Sequence, residues 1–266
     1  MTAAIAIPRT LPSLAALRAF VTLEVRRAFR NRRYLLFAIG FPSVFYLLYT
    51  GVLSGASADP SAIVGGMPWR TYFMVSMATY AAIVAAVGGA IVIADERTSG
   101  WTRQLRVTPL PAAAYVVGKL IVSYVVTIPA ITAVLVAGAL ANHVELSAVS
   151  WAQLLVSLVI GSLPFAAIGL LIGYVFDAGT AQGAMMVTLF SLAILGGLWA
   201  PITSFPDTLA TIGRMLPSFR LAELGRDAAA GTLPDLATIA ILVAYAVVIR
   251  ALVAWRYRTI EATARG

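Results

Sequence analysis

Thr71 to Ala94 reads TYFMVSMATYAAIVAAVGGAIVIA, 24 residues without a charged side chain. A helix of about 20 residues, rising about 1.5 Å per residue, crosses the hydrocarbon core of a bilayer, so this stretch predicts a membrane span. The pattern repeats on both sides of it. Residues 34–58, 120–142, 146–176 and 178–206 are also free of charge, over 25, 23, 31 and 29 residues. A sixth apolar run, Leu236 to Trp255, is interrupted only by Arg250, whose long stem can carry its charge to the nearer interface. Pro42, Pro129 and Pro164 fall inside these runs and predict kinks.

These runs occupy most of a 266-residue chain that is 61% hydrophobic and 11% charged, with mean hydropathy +0.91. A soluble domain carries about 25% charged residues, and a chain of this length cannot enclose so much apolar side chain in one aqueous core. The composition excludes a soluble globular protein and a disordered one. It predicts an all-α integral membrane protein with six transmembrane helices. No internal repeat or long linker divides it, so 1–266 reads as one domain.

Nineteen Lys and Arg against eleven Asp and Glu give a net charge of +8. In a soluble protein that excess would point to nucleic acid; here it reads as cations held on the cytoplasmic side of a membrane, with no nucleic-acid partner. With the N-terminus inside, 15 of the 19 cations fall in cytoplasmic segments, leaving Arg70, Arg214, Arg220 and Arg226 outside. The acids divide 5 to 6 and do not set the asymmetry. Both termini are therefore expected in the cytoplasm. Pro8 and Pro12 interrupt the first apolar stretch, which does not read as a signal peptide.

Three segments outside the spans carry information. Residues 13–33 predict a basic amphipathic helix capped by Ser13, with Leu14, Leu17, Val21, Val25 and Ala28 on one stripe and most arginines opposite. Such a helix can lie in the headgroup plane beside membrane lipid, or simply be the positive flank of the first span. The inner segment 95–119 holds Ser99, which can cap a short helix ended by Pro109, with Trp101 and Leu105 one turn apart and Arg103 and Arg106 on other faces. That helix fits a docking element for a soluble partner, or an interfacial loop anchored by its tryptophan. The outer segment 201–235 predicts two helical pieces, one after Pro206-Asp207 and one from Ser218 toward Gly231, with Arg220, Glu223 and Arg226 spaced for i,i+3 pairs. Residues 256–266 form a cytosolic tail.

Catalytic chemistry finds little support. Gly118-Lys119 is followed by Leu120 and has no upstream glycine, so it is not a phosphate-binding loop. There is no Cys and a single His, His143, which excludes thiolate and His-rich metal sites. The middle of every span is uncharged, against the habit of proton-coupled carriers. The chain reads as a transport component rather than an enzyme, drawing energy from an ion gradient or a separate protein.

Glu96 with Gly100 four residues later, then Leu105, Thr108-Pro109 and Gly118-Lys119, resembles the permease signature of type-2 ABC (ATP-binding cassette) transporters, and is most similar to the drug and antibiotic efflux branch of daunorubicin-resistance type. Trp101 and Arg103 depart from the Leu or Thr and the acidic residue that many members carry there. The resemblance implies a bacterial plasma-membrane subunit that pairs with a second permease copy, identical or sister. It also implies two separate ATPase subunits, which would bind the ATP and Mg; the permease itself would hold no cofactor. Gly100, Trp101, Arg103, Gln104, Leu105 and Arg106 would belong to a coupling helix seated on the ATPase. Glu96 would relay its motion through an ion pair with Arg97 or with an N-terminal arginine. The outer segment would be a re-entrant hairpin, with Phe205, Phe219, Arg220 and Glu223 forming an outer gate, or else a solvated loop with surface ion pairs. Soft and aromatic residues suit promiscuous cargo; Phe41, Phe45, Tyr46 and Tyr49, Met74 and Tyr80, and Met185, Met186 and Phe190 are candidates for its path, or for plain packing. The implied cargo is a hydrophobic or amphipathic compound such as a drug, antibiotic or lipid. A lipid-linked glycan carried by the same fold, or an ion-coupled carrier or channel, stands as the alternative.

Overall fold

A computed structural model describes residues 14–53, 62–101 and 112–263. Among these, six helical stretches are long and apolar enough to cross a membrane: Arg32–Gly51, Trp69–Thr98, Ala114–Ala141, Ala148–Val175, Ala178–Leu195 and Leu236–Trp255. The chain is an all-α integral membrane protein.

Helix α1 (Leu14–Arg30) precedes the first span and is separated from it at Asn31, whose side chain accepts the Tyr34 amide and starts α2 (Arg32–Leu35). A π-helical turn, Leu36–Gly40, leads without interruption into α3 (Phe41–Leu48), which holds Pro42 in its first turn. A two-stranded hairpin, β1 (Ile63–Val64) and β2 (Met67–Pro68), leads into the second span, made of α4 (Trp69–Val87) and α5 (Gly89–Thr98). The third span is α6 (Ala112–Ala141), the fourth α7 (Ala148–Gly161) and α8 (Leu163–Val175), the fifth α9 (Ala178–Leu195). The outer segment forms α10 (Asp207–Met215) and α11 (Pro217–Ala230), and α12 (Leu236–Thr263) carries the sixth span past Trp255 into the segment read as a tail.

The three prolines behave differently. Pro164 follows a junction at Ser162 that splits the fourth span, and Pro42 follows the π turn, but Pro129 sits inside an unbroken α6. The second span breaks at Gly88 without any proline.

Packing follows from which helices have a polar or small face. In α4 every residue from Thr71 to Val87 is buried, and its small side chains, among them Ser76, Ala78, Thr79, Ala82 and Ala85, let neighbouring helices approach closely from all sides. It lies against α6, α8 and α11, while α5 runs beside α8 and α9. The outer spans keep large apolar residues exposed, among them Phe37, Val44, Leu140, Ile160, Val187 and Val247, as expected of surfaces that meet lipid or another subunit. Small residues let the second and fourth spans touch backbone to backbone: a Cβ on Gly173 would lie 2.8 Å from the Ala90 carbonyl and 2.7 Å from Ile93 Cβ. Gly173→Ala is therefore expected to cost about 1–3 kcal/mol through overpacking, read as a lowered thermal midpoint in detergent. Gly183→Ala, with open space around the site, should leave the midpoint unchanged or slightly raised.

Candidate functional site

The buried face of α1 differs from the stripe expected of it. Phe20 and Glu24 are its buried residues, with Leu17, Val21, Val25 and Ala28 partly covered, while Leu23 and Phe29 face outward. The helix packs along α6, where Phe20 meets the Tyr115 ring at 6.0 Å. An acid on the buried side of a helix needs partners, since an unpaired buried charge costs several kcal/mol. They come from two other elements.

Tyr115 and Lys119, one turn apart on α6, point at Glu96 in the last turn of α5. Lys119 Nζ donates to Glu96 Oε1 at 2.8 Å and also to Glu24 Oε2, and the Tyr115 hydroxyl donates to Glu96 Oε2 at 2.6 Å. Arg27 Nη1 adds an ion pair to Glu24 at 3.2 Å and to Glu96 at 3.5 Å. Glu24, Glu96 and Lys119 are 3%, 7% and 8% exposed. Two acids and two bases balance, and each carboxylate takes at least two donors, which is what makes such burial tolerable. Arg27 also lies 4.9 Å from the Trp101 ring centroid, a cation–π contact that ties α1 to the first residue past Gly100. The Trp101 Nε1 is buried and has no hydrogen-bond partner among the described residues. An open groove lined by Arg27, Asp95, Glu96, Ser99 and Trp101 runs along this cluster.

Of the residues expected to couple, Glu96 and Trp101 come together here, and the N-terminal arginine that meets Glu96 is Arg27; Gly100 turns the chain between them at a positive φ, with open space around it. Arg97 turns away and donates to the carbonyls of Gly173 (2.6 Å) and Phe176 (3.2 Å) at the end of α8, a cation on a helix C-terminus. Arg103, Gln104, Leu105 and Arg106 lie outside the described residues. Glu24 and Tyr115 were not legible as members of the site.

The expected outer-gate residues also converge. Phe205 packs against Ile202, Ala210 and Phe219. Glu223 Oε2 accepts from Arg220 at 2.7 Å and from the Thr238 hydroxyl on α12 at 2.8 Å. Arg226 lies between the Tyr72 and Phe219 rings, 5.3 and 5.2 Å from their centroids, pinning α11 to the start of α4. Burial pulls its guanidinium below the usual arginine range, and burial raises the neighbouring Asp227 carboxyl. Asp177, at the start of α9, is held below the usual carboxylate range chiefly by the Thr180 amide it caps.

The candidate path residues divide. Tyr46 and Met74 are wholly buried inside the protomer, and Met185 nearly so; Met186 packs partly buried against the same core. Phe41, Phe45, Tyr80 and Phe190 instead gather round Trp199, which lies 5.9, 5.6 and 5.3 Å from the last three; Phe41 stacks on Phe45 at 5.6 Å. Tyr49 stacks on Phe45 and packs on Phe73 at 4.4 Å. Trp199, in the segment after α9, went unread, and its Nε1 is buried without a partner among the described residues.

Comparison with known proteins fixes the context. Residues 67–255 match the family described as ABC-2 family transporter protein. The chain belongs to the ABC-2 transporter family. It is also 31% identical over 223 residues, 84% of this chain and 89% of the relative, to YvfS of Bacillus subtilis (strain 168), whose name describes it as a transport permease. As a member of a permease family the chain is a multi-pass membrane transport subunit, of a class that works with ATPase partners in general. The family match begins at β2, so Glu24 and Arg27 in α1 lie upstream of it. Glu96, Tyr115 and Lys119 lie within it. The ion cluster of this ABC-2 permease therefore joins its family core to the preceding helix.

Proposed function

We propose that the chain is the membrane subunit of an ATP-driven exporter in a bacterial plasma membrane, with both termini cytoplasmic. It would pair with a second permease copy and two ABC ATPase subunits that bind ATP and Mg. Its cargo is a hydrophobic or amphipathic compound such as a drug, antibiotic or lipid. One observation carries this reading. The coupling helix expected over Gly100–Val107 falls in the stretch between α5 and α6; Trp101 in that stretch and α6 beyond it are both tied through Arg27, Lys119 and Glu96 to α1 and to the second span.

A push on that segment moves the second span only to the extent that docking free energy differs between two states. The cluster makes the transfer stiff, since its members cannot separate without stranding a buried charge. The aromatic array round Trp199, exposed at Phe41 and Phe190, supplies polarisable surface for cargo, with Phe41, Phe45, Tyr49 and Phe190 as contacts and Tyr80 buried behind them. Helices α10 and α11, with Phe205, Phe219, Arg220 and Glu223, act as an outer gate.

Affinity purification from native membranes tests the partnership: an ABC ATPase should co-purify in about equal amount, and its absence would contradict the reading. The gate has its own test. The chain has no cysteine, and Met215 on α10 is 63% exposed beside Ile212 and Leu209 on the same face. Cross-linking a Met215→Cys dimer through its thiols should lower transport at least ~tenfold, and reduction of a cleavable linker should restore it, an effect of closing one conformational route. Unaltered transport by a fully cross-linked dimer would remove the gate.

A further inference from the structure

The break in the second span sits over a cavity. Helix α4 ends at Val87 and α5 begins at Gly89. The Tyr34 ring occupies the place a Cβ on Gly88 would need. Its hydroxyl donates to the Ala85 carbonyl at 2.6 Å, an acceptor close to the interruption of the helix. Between the break and the ion cluster lies a space of about 80 Å³. Its apolar wall comes from the second, third and fourth spans, with Val92, Leu120, Ala166 and Leu170 among the contributors. Its other wall is one face of α1, where Glu24, Arg27, Ala28 and Asn31 follow at helical spacing.

Size and charge together identify the occupant. Drug-sized ligands take pockets of about 300–1,000 Å³, so this space suits the end of a hydrocarbon chain rather than transported cargo. The two carboxylates of the cluster are engaged by Lys119, Tyr115 and Arg27. Asn31 and Arg27, which line it, are exposed, and the adjoining residues Arg26, Arg30, Arg32 and Arg33 are exposed too; with Lys119 and Arg27 balancing the two carboxylates, the surplus charge of this stretch is positive and attracts anionic headgroups. We propose that this cavity is a binding site for an anionic phospholipid of the adjoining leaflet, its phosphate at Arg27 and Asn31 and one acyl chain directed toward Gly88. A chain lodged there supports the second span at the junction of its two helices, so the lipid sets how readily the span bends.

The test is native mass spectrometry of the purified chain released from nanodiscs of equal phosphatidylglycerol and phosphatidylethanolamine with identical acyl chains. The wild type should retain phosphatidylglycerol about tenfold over phosphatidylethanolamine. Ser123→Leu, which fills the cavity from α6, should abolish retention. Asn31→Asp keeps the acceptor for the Tyr34 amide and adds a negative charge at the mouth, so retention should fall about fivefold or more. Because Asn31 is exposed, that variant decides the matter even if Ser123→Leu fails to fold. Equal retention of the two lipids, or phosphatidylglycerol retention unchanged in Asn31→Asp, would overturn the proposal. The readout involves neither ATPase nor transport, so it stands or falls separately from the exporter reading.

Discussion

Lys119→Met is expected to cost about 3–5 kcal/mol, the scale of breaking a buried ion pair from one side, and to leave little folded protein in the membrane. Lys119 is the one lysine in the chain and stands between two carboxylates that are 3% and 7% exposed. Without it, Glu24 and Glu96 face each other across a dry gap, and Arg27 has to serve both from 3.2 and 3.5 Å. Methionine fills the stem volume, so the loss isolates the charge from the packing. The double variant Glu24→Gln/Lys119→Met removes one of the two stranded acids and leaves Glu96 with Tyr115 and Arg27. It should recover roughly half of the lost stability, the signature of residues coupled in one network. Thermal unfolding in detergent, with membrane yield as a second measure, checks both. A Lys119→Met midpoint equal to the wild type would mean that the cluster does not hold α1 to the bundle.

Glu96→Gln is expected to behave in the opposite way, folding well and transporting poorly. Lys119 keeps its bond to Glu24, and the glutamine can turn its carbonyl to accept from Lys119 while its amide donates to the Tyr115 hydroxyl oxygen, so no buried carboxylate is stranded. What disappears is the charge that joins α5 to both Lys119 and Arg27. Transport should fall at least ~tenfold, a loss of about 1.4 kcal/mol or more in coupling, while the partner ATPase continues to hydrolyse ATP. Trp101→Ala should give the same pattern, because it removes the ring on which Arg27 rests. Glu96→Ala should follow as well, with some added loss of stability from the unfulfilled Tyr115 hydroxyl. Normal transport and substrate-stimulated ATPase activity in Glu96→Gln and Trp101→Ala would refute the coupling role.

The six spans were legible because membrane insertion leaves a one-dimensional mark: charge-free runs of 23 to 31 residues can hardly be anything else. The two outer helices were legible from Pro206, the Arg and Glu spacing and Gly231. The break at Gly88 was not, since a Gly-Gly pair reads equally well as a close-packing surface. Pro129, by contrast, lies inside one continuous α6, since a membrane helix can carry a lone proline when neighbours satisfy the freed carbonyl. The ion cluster was half legible. Glu96 and Lys119 lie in a recognisable spacing, but Glu24 looks like an ordinary member of a polar face. Only a lysine 95 positions away makes its burial possible, and helical periodicity holds no information at that range. Trp199 was missed for the same reason, and Arg226, expected to pair with Glu223, lies instead against the rings of Phe219 and Tyr72, the latter in a distant span, while Glu223 pairs with Arg220.

The central claim is that motion enters this permease from a separate ATPase gripping the segment between the second and third spans. Its most direct test is uphill accumulation of amphipathic drugs, tried as a panel, in sealed vesicles containing the purified chain, with and without the ATPase that co-purifies with it, under ATP or under an imposed proton or sodium gradient. The account predicts accumulation only when ATPase and ATP are both present, and its loss in Glu96→Gln. Accumulation by the chain alone, driven by an ion gradient, would contradict it.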